Sequence, residues 1–299
     1  MAAEQKRCGS DRRNAAQARE TRRAALGRLG AVALAIAVAL VLAPAARAVP
    51  VTMTDGNSTV LIDPESSAGI YDWTIGGTSH LAQQWFWFRA SVDGWNDREY
   101  SIDTIGTPVV TQPVPNLATL TYTDSQGRFA IETMLILAGG DGFHAADLAE
   151  IVKVINLSND PITFTLFEYG DYNLAGDPVD VSLKIAGGNT AEQAGIGDWM
   201  IAEMHSVVTG PPDLCEAATY SDTLDKLEDA DIDNLNNVLA AGAGDCTWAF
   251  EWLGREVDPL QALIISRDTI INTEPVAEPG SFALLVLGLG GIVRLKRRK

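Results

Sequence analysis

Histidine is scarce in this chain, and the three present, His80, His144 and His205, are far apart. No close His pair exists, so a zinc-protease type of motif is excluded. No G-x-S-x-G occurs either, which removes the usual elbow of a serine hydrolase. Each lone histidine reads as a structural or surface residue rather than a ligand or base. No Pro/Gly/Ser linker, internal repeat or low-complexity block divides the chain. There is also no apolar run of full membrane-spanning length; the two longest are Leu29–Ala43 and Phe282–Val293. The second has twelve residues. As a helix it reaches about 18 Å, against about 30 Å of bilayer hydrocarbon. Basic residues are scarce too, except at the ends. Residues 1–48 hold nine Lys/Arg and the last six residues hold five, so the stretch between has eight Lys/Arg against thirty-six Asp/Glu, a net charge of −28. Such a body repels phosphate, which excludes nucleic acid as a partner.

What is present at the ends is ordered. The first 28 residues are polar and arginine-rich. The apolar run Leu29–Ala43 follows, then "PAARA" with Ala46 and Ala48 at the two small positions of a signal-peptidase site. This is the three-part pattern of a secretory signal peptide over 1–48, with cleavage expected after Ala48. "TRRAALG" (Thr21–Gly27) resembles a twin-arginine signal with Ala25 where a bulky apolar residue is usual, so general secretion is preferred. At the other end, Ala277-Glu278-Pro279-Gly280 precedes the short apolar run. Arg294, Lys296, Arg297, Arg298 and Lys299 follow it as a basic stop. Basic flanks stay cytoplasmic and the acidic body lies across the membrane.

The order of these parts over residues 276–299 resembles the PEP-CTERM sorting tail, with Ala277 in place of the first proline. The resemblance implies an exported protein of an exopolysaccharide-producing Gram-negative bacterium. Its partners in export would be signal peptidase and an exosortase that removes the tail. The short span then needs only to dwell in the membrane until it is cut; a permanent thin anchor is the competing reading. "WTIGGTSHLAQQWFWFR", "INLSNDPITFTLFEYGDYNL" and "GDCTWAFEW" also resemble the bodies of other such proteins, and this likeness implies no activity.

The body, 49–275, alternates with period two. "TWAFEW", "PITFTLFEY", "LATLTYTD" and "QQWFWF" place aromatic and aliphatic residues on one face in turn. "RFAIETMLILA", "EIVKVINL", "DVSLKIA" and "ALIISRDTII" are short and β-branched. Asp124-Ser125-Gln126-Gly127 carries the Asp and Gly of a type I turn between two such runs, so a hairpin is expected there. The expected fold is all-β, an antiparallel β-sandwich, flanked by an N-terminal signal helix and a C-terminal apolar helix. One stretch departs, Ser221–Ala241, with leucines at helical spacing among Asp and Asn. It is expected as a short helix or an acidic loop.

Candidate chemistry follows from residue type. Cys215 and Cys246, in an exported domain, are expected to form a disulfide around that excursion. Asp229, Asp231 and Asp233 take the first, third and fifth places of a calcium loop, but Asn234 and Ala240 replace its Gly and Glu. A solvated acidic face competes with Ca²⁺ here. Asp171 and Asp177, with Glu168 and Asn173, form a second acidic cluster that could hold Ca²⁺ or simply shape a turn. Trp85 and Trp87 share a face opposite Phe86 and Phe88 and are expected in the core. Trp95, in the polar "DGWNDRE", is the best single candidate for an exposed, sugar-stacking aromatic, with core or loop packing the competing reading placed ahead of it. The functional expectation is a non-enzymatic surface or extracellular-matrix protein, binding cations or exopolysaccharide. The alternative is a secreted carbohydrate-active enzyme with two carboxylates in a groove beside an aromatic platform.

Overall fold

The computed structural model describes residues 50–140, 145–195 and 202–272. In chain order the strands are β1 Val51–Asp55, β2 Ser58–Asp63, β3 Gly69–Ile75, β4 Thr78–Ser79, β5 Gln83–Ala90, β6 Tyr100–Ser101, β7 Val109–Val114, β8 Leu117–Thr123 and β9 Phe129–Gly139. They continue with β10 Ala145–Asn156, β11 Ile162–Asp171, β12 Asp180–Ala186, β13 Thr190–Gly195, β14 Ala202–Thr209 and β15 Leu214–Thr219. After the helix α1, Asp222–Glu228, come β16 Ala240–Ala241, β17 Cys246–Val257 and β18 Ala262–Asn272. Every stretch named above for its alternation lies in a strand. The excursion is half helix and half loop, because its leucine spacing supports only two turns before "DADIDN" supplies side chains that compete for backbone groups.

Two sheets result. The first runs β1-β2-β3-β5-β11-β17-β15, with β4 on β3 and β6 on β5; the second runs β16-β12-β13-β14-β18-β10-β9-β8-β7. Between the named strands all pairings are antiparallel except the short contact of β3 with β5. The expected hairpin joins β8 to β9: the Gly127 N–H donates to the Asp124 carbonyl at 2.7 Å, and Gly127 sits at φ +68°. The sheets pack face to face through aromatic contacts. Phe88 of β5 meets Phe129 of β9, which in turn meets Phe164 of β11. Trp85, Trp87, Trp248 and Trp252 are buried.

The core also holds ions. Arg267 of β18 is fully buried and pairs with Glu150 of β10 in its own sheet and with Glu168 of β11 in the other. Its guanidinium lies 4.4 Å from the centre of the Phe86 ring. Gln84 donates to Glu150 at 2.9 Å and to Glu168 at 3.3 Å, and its carbonyl accepts the Tyr172 hydroxyl at 2.6 Å. Burial holds the Glu168 carboxyl well above the usual range. With Arg267 charged, a trio carrying one retained proton is neutral, as a dry interior requires.

The expected terminal helices, the sorting residues Ala277, Glu278, Pro279 and Gly280, and the basic stop lie outside the described residues. Among the described residues no helix is long and apolar enough to cross a membrane.

Candidate active site

The site grows out of the middle of the first sheet. In β5 the run "QQWFWFRA" carries Arg89 one residue before its end, a charge inside an aromatic strand. Trp87 faces Ser101 and Phe88 faces Tyr100 across the β5–β6 ladder, so continuing the register by one brings Glu99 opposite Arg89. The Arg89 guanidinium donates to Glu99 Oε1 at 2.6 Å and lies 3.6 Å from Glu251 of β17. It lies 5.2 Å from the centre of the Phe167 ring. Both carboxylates are buried.

The acidic loop 229–239 closes over this group. Arg89 donates to the Asp233 carbonyl at 2.8 Å and to the Asn234 side chain at 2.7 Å. The Asp233 N–H donates back to Glu99 Oε1 at 3.1 Å, and the Leu235 N–H donates to Glu251 at 2.8 Å. Two buried carboxylates thus share one guanidinium. Burial raises the Glu99 carboxyl, against the pull of Arg89 and the Asp233 N–H. Burial likewise raises Glu251, to about 7, against the Leu235 N–H and Arg89. Glu99 Oε2 has no hydrogen-bond partner.

Glu99 lines a cleft of about 300 Å³. Trp87 and Tyr100 form aromatic parts of its wall, and Asp103, Glu228 and Asp229 bring three more carboxylates to it. Asp103 is fixed as an acceptor by the Trp85 indole at 3.3 Å and by the Ser101 hydroxyl. Glu228 and Asp229, at the end of α1, are exposed. Arg98 contributes one cation, its guanidinium 5.0 Å from the centre of the Tyr100 ring. A recessed carboxyl biased toward protonation, beside a second carboxylate held by donors, is the equipment of acid–base chemistry.

Several sequence-derived expectations are corrected here. Cys215 and Cys246 are both free and buried. Cys215 lies opposite Phe250 and Cys246 opposite Thr219, four positions apart on the β15–β17 ladder. That is about 13 Å along the strands, whereas a disulfide needs Cα atoms within about 7 Å. The calcium reading of Asp229, Asp231 and Asp233 gives way to a different role. Asp233 turns its backbone inward to Glu99 and Arg89, and the Asp229 carboxylate accepts the Asp231 N–H at 2.8 Å. Among the described residues no group of three or more His, Cys, Asp or Glu is arranged to hold a metal ion. Asp171 and Asp177 are not brought together with Glu168. Glu168 points between the sheets, Asp171 is buried on the opposite face of β11, and Asp177 caps a surface turn through the Val179 N–H at 2.9 Å. Trp95 is half-buried rather than free for stacking. Its indole donates to Asp124 at 3.2 Å, and its ring packs on Phe88, Tyr100 and Phe129. His80 is buried, its Nδ1 accepting the Ala175 N–H at 3.1 Å; the side chains of His144 and His205 lie outside the description.

Sequence reasoning missed Glu99, Arg89, Asp103 and Glu251. The available signal was Arg89 and Glu251, single charges set inside "WFWFRA" and "TWAFEW", which a buried strand tolerates only in pairs.

No family model matches the chain, and no curated protein matches it. Solved structures do resemble it. A bacterial glucoamylase complexed with acarbose has 13% identity and a TM-score of 0.49, covering 78% of this chain and 32% of its own. The chain therefore spans about a third of that enzyme's length. A putative aldose 1-epimerase from Escherichia coli K12 has 11% identity and a TM-score of 0.48, over 75% of this chain and 99% of its own. A galactose mutarotase related enzyme from Lactobacillus acidophilus has 9% identity and a TM-score of 0.46, over 76% and 98%. Each is named for chemistry on a sugar. The expectation of a non-enzymatic structural role is set aside here for its alternative, since these three solved structures are named for sugar chemistry; at such identities and TM-scores the likeness itself is one of fold alone.

Proposed function

We propose that the chain is a carbohydrate-active enzyme that performs acid–base chemistry at the anomeric centre of a sugar, with Glu99 and Asp103 as its carboxyl pair. The observation that carries this reading is Glu99, a lining residue of the cleft whose buried carboxyl is fixed through one oxygen by Arg89 and has no hydrogen-bond partner on the other. Its raised affinity for a proton suits a general acid that protonates the departing sugar oxygen. Asp103, held by two donors, acts as the second carboxylate that receives a proton or stabilises positive charge at the anomeric carbon. Arg89 keeps Glu99 in place and Tyr100 supplies the accessible ring of the wall.

Turnover of a panel of oligosaccharides and reducing sugars, followed by NMR of the anomeric protons, tests this. Glu99→Gln and Asp103→Asn should each lower kcat by about 10²-fold or more while the circular dichroism of the fold is kept. A panel without turnover, or full activity in Glu99→Gln, removes the assignment.

We also propose, from the terminal segments alone, an exported enzyme whose 1–48 and 276–299 are removed by signal peptidase and an exosortase, leaving it at the cell surface or in the exopolysaccharide matrix. The intact mass of the extracellular protein reads both cuts at once; a mass equal to the whole chain rejects them.

A further inference from the structure

A general acid must touch its substrate, yet the side chain of Glu99 is wholly enclosed. Residues 233–235 lie against it and its partners. Asp233 offers its carbonyl to Arg89 and its N–H to Glu99, Asn234 offers its side-chain oxygen to Arg89, and the Leu235 N–H donates to Glu251. Two acceptors and two donors thus sit close together, which is the mixture that the hydroxyls of a sugar ring present. Elsewhere this segment is lightly held. From 229 to 235 the one buried side chain is Leu235; Asp233 is half-buried and the other five residues are exposed, Ile232 among them. Both ends are pinned. Before the segment, α1 is fixed by Glu216, which accepts from Thr223 and Lys226; after it, the Asn236 N–H donates to the same carboxylate. The Val238 carbonyl then accepts the Ala217 N–H of β15 at 2.8 Å. A short segment with firm ends and one buried side chain opens locally at far lower cost than the sheet beneath it.

We infer that residues 229–235 form a displaceable cover over Arg89, Glu99 and Glu251, and that a sugar enters by taking the place of residues 233–235. The inference rests on the carbohydrate reading above and supplies the gating of that same site. Withdrawal without a replacement leaves Arg89, Glu99 and Glu251 short of four hydrogen bonds, so the closed arrangement prevails in the absence of ligand. An incoming ring restores those bonds through its hydroxyls and keeps water from the carboxyls, as the segment did. The apparent affinity for the sugar is then set in part by the fraction of molecules that are open.

Hydrogen exchange on the purified full chain, read at single amides, tests the cover without any ligand. The Asp233 and Leu235 amides should exchange at least about a hundredfold faster than those in the middle of β17. Leu235→Ala, and independently Asn234→Ala at an exposed position, should speed both amides by about a further tenfold with β17 unchanged. With a sugar turned over in the panel above, both variants should lower KM several-fold, because more of the protein is open. Exchange of these amides only at the rate of β17 overturns the cover, whether or not sugars are turned over. A fall in kcat at unchanged KM in both variants also overturns it, since the segment would then build the site rather than cover it. Rapid local exchange in a protein that binds and turns over no sugar overturns the carbohydrate reading and leaves the displaceable cover standing.

Discussion

Glu99 and Glu251 draw on the same guanidinium, so neither can be altered without changing the other. Removing the charge of Glu251 leaves Arg89 wholly to Glu99 and makes Glu99 a stronger acid. Glu251→Gln should therefore move the alkaline limb of the kcat/KM profile to lower pH, because the general acid loses its proton sooner. An unmoved limb would separate Glu99 from the chemistry. The Arg267 trio in the core has a different logic. Arg267→Met strands two buried carboxyls and should lower stability to urea by about 3–5 kcal/mol. Glu168→Gln should cost much less, since that carboxyl already favours its neutral form. Equal losses in the two variants would mean that the trio is not charge-balanced as described.

Elements are held at their spacing by what fits between them. Gly170 of β11 lies under Trp248, and a Cβ there would fall 2.3 Å from the indole. Gly170→Ala forces a core tryptophan from its place and should cost about 1–3 kcal/mol in chemical denaturation. A neutral result would show that Trp248 has room to move. The loop 229–239 and α1 are tied to the first sheet by polar bonds as well as by the buried Leu224, Leu227 and Leu235. Glu216 alone accepts from Thr223 at 3.0 Å, from Lys226 at 2.6 Å and from the Asn236 N–H at 2.8 Å. Strand register also decides the thiols. With Cys215 and Cys246 four rungs apart, a reducing agent should leave the melting temperature unchanged, and both thiols should titrate in denaturant without prior reduction. A drop in melting temperature on reduction would contradict the register.

Across the whole molecule the buried carboxyls set a pH trend. Asp171, Asp180, Asp147 and Glu251 are each raised to about 7, in every case chiefly by burial. Between their unfolded values near 4 and about 7 the folded state holds protons that the unfolded chain has lost, so stability falls as pH rises through that window. His80, lowered by burial to about 4, works in the opposite sense, its contribution being lost as pH falls below its unfolded value of about 6.5. These four carboxyls, with Glu99 and Glu168 raised in the same sense, outweigh the one histidine, so the melting temperature should be higher at about pH 5 than at about pH 8. Asp180→Asn, which keeps an acceptor for the Cys246 N–H, should flatten that difference. A protein more stable at the higher pH would refute the trend. The alternation of "TWAFEW" and "QQWFWF", the Asp124–Gly127 turn and the departure at Ser221–Ala241, helix or acidic loop, were readable because each is local: period and turn chemistry fix which face is apolar before any partner is met. The partner of each strand, and therefore the closing of Asp233 and Glu251 around Arg89, the separation of the two cysteines and the packing of Trp95 on Phe129, depends on residues some thirty to more than a hundred positions apart. One rung of register decides whether two such groups touch. The sequence by itself determined an acidic, all-β body whose strands carry single charges among apolar residues. Only the tertiary pairing decided which of those charges meet, and so where a cleft with a proton donor arises.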